Sequence, residues 1–186
     1  MPQLLDFITP TALKALEHFF AHPAAEFYER EVIRATGISK GSANRILRNL
    51  SALSILDRSE KGRMVFYRLC AGDPFVKQMK AAENIWALRP FIDQLKDSAR
   101  KIMLFGSCAE GTDAAESDID ILILTDDKGA AKEKASAFNR TSERQMAPII
   151  VDMSEYATLR KEDKPLFERI DGGIVLWETR GIEKRG

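Results

Sequence analysis

Two aspartates spaced one residue apart, about a dozen residues behind a Gly-Ser turn and ahead of an apolar run, constrain this chain more than any other feature. Lys101 and the apolar residues 102–105 lead into Gly106-Ser107-Cys108-Ala109-Glu110-Gly111. Ser117-Asp118-Ile119-Asp120 follows, and residues 121–124 are again apolar. The pattern reads as strand, tight turn, short helix or loop, and a second strand that opens with the two acids. In a strand, residues i and i+2 point to one face, so Asp118 and Asp120 project together. Two close carboxylates repel unless a positive charge sits between them. A divalent metal is the economical solution, and Mg²⁺ favours a few carboxylates together with water and substrate phosphates. The Gly-Ser turn offers free backbone N–H groups suited to a phosphate. Together these features imply phosphoryl or nucleotidyl transfer.

The composite Gly-Ser-x-x-x-Gly, spacer, Ser-Asp-x-Asp resembles the DNA polymerase beta-type nucleotidyltransferase superfamily, in its minimal nucleotidyltransferase branch. The resemblance covers about residues 99–179. It implies a mixed sheet with flanking helices and a third carboxylate on a later strand. Asp152, the one acid in the apolar run 148–153, is the expected third carboxylate. By this resemblance Asp118, Asp120 and Asp152 are catalytic and hold the metal, and Gly106, Ser107 and Ser117 bind the nucleotide. The implied cofactor is Mg²⁺, as two ions, and the implied substrate is a nucleoside triphosphate, with ATP expected. One departure stands out: where many small members carry a basic residue before the second Gly, this chain has Glu110.

The first half reads differently. Residues 11–20 carry apolar side chains at Ala12, Leu13, Leu16, Phe19 and Phe20, a helical spacing, and Pro23 ends the run. A second short helix is expected over 28–36, with Val32 and Ile33 inward and Gly37 closing it. Ser39 is placed to cap a third helix over 40–53, with Ala43, Ile46, Leu47 and Leu50 inward. Two short strands around Gly62 then read as a hairpin. Three helices and a hairpin resemble the winged helix-turn-helix family over residues 10–70. On that resemblance Lys40, Ser42, Asn44, Arg45 and Arg48 face a DNA groove, and Arg58, Lys61 and Arg63 at the hairpin tip meet backbone. A solvated charged face, or a protein-binding module, is the plainer alternative for the same residues.

Between the halves, Asp73-Pro74 signals a helix start. Phe75, Val76, Met79, Ala82, Ile85, Trp86, Phe91, Ile92 and Leu95 are its expected apolar face, and Pro90 is expected to interrupt or restart it. Such a segment should dock against a domain or form a homodimer contact, with Trp86 and Phe91 in a core. A helix is expected over 130–138, and one or two more, broken near Pro165, over 156–170.

Charge is balanced overall, with 28 Lys/Arg and 28 Asp/Glu, yet unevenly spread. Residues 1–70 hold 10 basic against 7 acidic side chains, and residues 71–186 hold 18 against 21. This suits a nucleic-acid-binding front and a metal-binding back. Cys70 and Cys108 have no metal-site spacing and read as a reduced pair. His18 and His22, the only histidines, are remote in sequence from the acids. Residues 1–6 lack the basic start and apolar run of a secretory leader, and no stretch has the length of a membrane span. The expected protein is therefore cytoplasmic, α+β and two-domain: a winged helix-turn-helix over 1–72, a helical connector over 73–98 and a nucleotidyltransferase fold over 99–186. The expected partners are double-stranded DNA, a nucleoside triphosphate and a protein acceptor, with no membrane. A transcription factor whose transferase fold only senses nucleotide or supports dimerisation is the alternative.

Overall fold

The computed structural model describes residues 9–179. The leader reading at residues 1–6 lies outside them, as does the end of the C-terminal domain beyond residue 179. The chain divides into two compact units, Met1–Lys77 and Gln78–Gly186.

In the first unit, α1 (Pro10–Ala21) begins with Pro at its first position and Thr9 as cap, whose Oγ1 accepts from Ala12 N at 3.2 Å. Ala12, Ala15, Leu16, Phe19 and Phe20 form its buried stripe. Leu13, expected inward, is 40% exposed because it lies at the rim of that stripe. A three-residue strand, β1 (Glu26–Tyr28), carries no sequence signal of its own. It exists because it pairs with a later strand. Next come α2 (Glu29–Thr36), closed by Gly37 at φ +67°, and α3 (Lys40–Ala52), capped by Ser39. Val32 is fully buried and Ile33 only half-buried, whereas Ala43, Ile46, Leu47 and Leu50 of α3 all face inward as their spacing predicts. The hairpin β2 (Leu56–Lys61) and β3 (Met64–Leu69) turns through Gly62 and Arg63. The antiparallel sheet has the order β1-β3-β2.

The long helix α4 (Pro74–Leu95) starts where expected, with Asp73 Oδ1 accepting from Phe75 N at 2.8 Å. It runs on through Pro90 without a break. Pro90 deprives the Trp86 carbonyl of its helical donor, but both residues lie at the exposed side, where water can replace the bond. Trp86, expected in a core, is 68% exposed, with the Arg89 guanidinium 4.5 Å from its ring centre. Phe91 is buried as expected.

The second unit is built on a mixed sheet of order β6-β5-β4-β7. Its strands are β4 (Ala99–Leu104), β5 (Ile119–Thr125), β6 (Met146–Val151) and β7 (Ile174–Glu178). Only β5 and β6 run parallel, joined by α6 (Lys128–Thr141). One face packs Ile102, Leu104, Ile121 and Ile123 against Leu88, Phe91 and Leu95 of α4 and Ala131 and Ala135 of α6. The other packs Met103, Phe105 and Leu122 against α7 (Met153–Glu162) and α8 (Lys164–Asp171), with Ile170 at its centre. Pro165 does separate two helices, sitting in the first turn of α8. Among the described residues no helix is long and apolar enough to cross a membrane.

Candidate functional site

β4 ends at the Gly-Ser turn, and Phe105 N there donates to Asp120 O at 3.1 Å. Gly106 takes φ +66°, a conformation that costs any other residue strain. A Cβ on Gly106 would lie 2.4 Å from Asp120 Oδ2, so the bare Cα is what lets the carboxylate lie against the turn. Ser107 opens the short helix α5 (Gly106–Glu110), which ends at Gly111 with φ +67°. Gly106 and Ser107 are half-exposed, and Glu110 is exposed.

Asp120 alternates with the core residues Ile119 and Ile121 and therefore faces the α7–α8 side. Asp118 precedes β5 by one residue and is exposed. Arg169 on α8 reaches this site, with its guanidinium 3.6 Å from Asp120 Oδ2 and 5.8 Å from the centre of the Phe105 ring. Nothing in the sequence spacing marked Arg169; the register of β7 and the packing of α8 bring it in. Ser117, expected on the nucleotide, lies in the loop before the acids, its Oγ accepting from Ala114 N at 2.9 Å.

Asp152 does not join Asp118 and Asp120. In the parallel β5–β6 register Asp120 stands opposite Ala147 and Leu124 opposite Val151. Asp152 therefore lies five residues further along, about 16 Å at the rise of a strand. By alternation it also points to the opposite face, toward α6. There it caps α7, with Oδ1 accepting from Ser154 N and Glu155 N, both at 2.9 Å, and it pairs with Lys128 at 3.1 Å. The Glu155 backbone N–H, followed by Lys128, holds its carboxyl below the usual carboxylate range. The β6 residues that share a face with Asp120 are Ala147, Ile149 and Val151, none of them acidic. Among the described residues no three His, Cys, Asp or Glu side chains gather into a group that could hold a metal ion. Asp120, with the exposed Asp118 two residues before it, offers hard oxygen ligands, the type Mg²⁺ takes.

A buried polar network, built from residues far apart in the chain, fixes the loop that delivers these acids. Lys80, 2% exposed, donates to Asp113 O and lies 3.8 Å from Asp113 Oδ1. Arg144 NH1 lies 3.1 Å from Asp113 Oδ2 and 2.9 Å from Asn84 Oδ1. Arg144 also donates to Ser117 O and Cys108 Sγ, and Asn84 Nδ2 donates to Cys108 O at 3.0 Å. Burial lowers the Lys80 ammonium below the usual lysine range, with Asp113 opposing. Burial also pushes the Cys108 thiol up, so Cys108 is a packing residue here.

In the first unit, Lys40, Arg45 and Arg48 are exposed along α3. Asn44 is half-buried and donates to Glu29 Oε2 at 2.8 Å, so its amide is engaged with α2. Ser42 accepts from Ser39 Oγ at 3.0 Å. Arg63 lies in the hairpin turn and Lys61 beside it, the latter paired with Glu26. Arg58 is not at the tip: it stands opposite Tyr67 within β2 and pairs with Glu60 at 2.7 Å.

No curated protein matches the chain. Among solved structures, one similar chain is BpsR of Bordetella bronchiseptica, a structure concerned with the regulation of its DNA binding by 6-hydroxynicotinic acid. It is 18% identical over 50% of this chain and 60% of that chain, with a TM-score of 0.34. This chain thus spans less than two thirds of that protein. A toxin–antitoxin structure with AMP-PNP is 27% identical over 52% of this chain and 75% of that one, with a TM-score of 0.37. A mutant of the toxin–antitoxin MntA-HpeT is 26% identical over 54% and 74%, with a TM-score of 0.33. Residues 87–174, which include Gly106, Asp118, Asp120 and Arg169, match the family model of the nucleotidyltransferase domain.

Proposed function

We propose that the second unit binds a nucleoside triphosphate, with ATP the expected one, at the Gly106-Ser107 turn and transfers its nucleoside monophosphate to an acceptor hydroxyl. The observation that carries this is the fit of the Asp120 carboxylate against the side-chain-free Gly106. Acid and phosphate-binding turn are thereby held together within a segment that matches the nucleotidyltransferase family model. Asp118 and Asp120 would hold Mg²⁺, which when bound neutralises charge on the triphosphate. The acceptor hydroxyl gives up its proton to water as its oxygen bonds to the α-phosphorus, the bond from that phosphorus to the bridging oxygen breaks, and pyrophosphate leaves with the electron pair. The Lys80–Asp113–Arg144 network supports this step by fixing the loop before Asp118. A protein is the acceptor class proposed. The test is incubation of wild type and Asp120→Asn with each α-labelled NTP and Mg²⁺, with and without cell extract. Labelled product from wild type alone supports the reading, and no product from either sinks transfer.

A second reading, binding without turnover, is favoured by one observation: Ala147 and Ile149 occupy the β6 positions beside Asp120, so no third carboxylate stands there. It predicts NTP binding with no labelled product.

For the first unit we propose a winged helix-turn-helix that binds double-stranded DNA through α3. Support comes from the exposed Lys40, Arg45 and Arg48 on the outer side of α3, and from Arg63 in the hairpin turn. Coupled to the second unit, this makes a nucleotide-dependent regulator of transcription.

A further inference from the structure

We infer that Arg169 is a phosphate-binding residue of the nucleotide site and that it stands in for the metal's charge on Asp120 until nucleotide arrives. The inference rests on the triphosphate reading above. Gly106, Asp120 and Arg169 meet at one point. The position a Gly106 Cβ would take lies 2.4 Å from Asp120 Oδ2 and 3.5 Å from the Arg169 guanidinium. Arg169 therefore brings a positive charge to the turn from the α8 side, while the motif's own position before the second Gly carries the exposed Glu110.

The backbone beneath Arg169 is fixed while its side chain is largely exposed. Ile170 is fully buried, and Gly173 packs so tightly that a Cβ there would lie 2.4 Å from Leu104 O. The Arg169 side chain is 60% exposed, and its guanidinium lies over the Phe105 ring without sealing it in. At 3.6 Å, its pair with Asp120 is long and solvent-screened, so it contributes little and yields readily. A guanidinium on phosphate oxygens makes shorter, forked, charge-assisted bonds. Arrival of a metal–triphosphate thus exchanges a weak contact for a strong one: Arg169 turns to phosphate, and Asp120 is released to the cation.

The exchange sets opposite signs on two measurements. Arg169→Gln should weaken binding of a non-hydrolysable ATP analogue with Mg²⁺ by roughly tenfold. It should tighten binding of Mn²⁺ alone, followed by electron paramagnetic resonance, because a competing cation is gone. Arg169→Lys should fall between wild type and Arg169→Gln for nucleotide. Thermal melts confirm that each variant is folded. Unchanged nucleotide affinity in Arg169→Gln, with wild type binding well, overturns this inference alone. A parallel loss of nucleotide and Mn²⁺ binding also overturns it and makes Arg169 structural. Failure of wild type to bind the analogue overturns the triphosphate reading and this inference with it.

Discussion

Gly106 and Asp120 are matched to each other: the turn residue has no side chain at the place where the acid's carboxylate lies, 2.4 Å from where a Cβ would sit. That separation is below any real contact distance for a Cβ. Gly106→Ala must therefore push Asp120 away or unwind the turn. The left-handed φ of +66° adds about 1–2 kcal/mol of backbone strain for Ala. A melting temperature lower by about 2–8 °C is expected for a chain of this size. Loss of nucleotide binding should exceed what that destabilisation explains. Calorimetric titration with an ATP analogue and Mg²⁺ checks this; wild-type affinity in Gly106→Ala would mean the carboxylate plays no part in the site.

Ala147, opposite Asp120 in the register and exposed, is where a third carboxylate could be added at little packing cost. Neighbouring strands lie about 4.8 Å apart, within reach of one shared cation. Without metal, Ala147→Asp sets like charges side by side and should lower stability. With Mn²⁺ the loss should reverse, and metal affinity should rise by roughly tenfold. Asp152→Asn, at the other end and face of the sheet, should leave Mn²⁺ and nucleotide binding as they are. Melts with EDTA and with Mn²⁺ separate the cases, and a metal response in Asp152→Asn with none in Ala147→Asp would refute this placement.

These two aspartates mark what was legible in the chain. Gly106 and Asp120 lie within 15 residues, on one turn and one strand end, so local spacing was enough to bring them together. The helix cap at Ser39, the inward stripe of α3, the hairpin at Gly62 and the start of α4 at Asp73-Pro74 are local in the same way. Asp152 required the strand register, which a parallel crossover of this length leaves open. Arg169 and the Lys80–Asp113–Arg144 network depend on contacts between distant segments. Trp86 sits on a helix whose apolar residues surround it without a single periodic face, so its exposure could not be read from spacing.

Lys80 gives the molecule a pH signature. Its ammonium is lowered by burial, so in the alkaline range just below the ordinary lysine value the unfolded chain binds more protons than the folded one. Stability should therefore rise with pH across that window. Lys80→Met should remove the rise while keeping the Arg144–Asp113 pair at 3.1 Å. Asp113→Ala should cost about 3–5 kcal/mol, because it leaves two cations without their shared acid. Urea unfolding at several alkaline pH values tests both, and an unchanged slope in Lys80→Met would assign the dependence to another group.

The DNA reading of the first unit separates residues that the sequence placed together. Arg45 and Arg48 are exposed along α3, whereas the Asn44 amide is held by Glu29. A free guanidinium can read a guanine edge, so Arg45→Ala should cost about 1–3 kcal/mol at one base pair and relax preference there. Arg63, in the hairpin turn, should act on phosphate. Arg63→Ala should weaken all sequences alike and flatten the salt slope by about one unit. Asn44→Ala should leave base preference intact and instead lower stability by about 1 kcal/mol through the lost bond to Glu29. Lys61 is tied to Glu26 and lies 5.1 Å from the centre of the Phe66 ring, so Lys61→Ala should change the salt slope less than Arg63→Ala. Binding-site selection with the full chain, followed by salt titration of each variant, orders these effects. If the protein selects no sequence and Arg45→Ala binds duplex as wild type does, α3 does not enter a groove and the unit serves a protein partner instead.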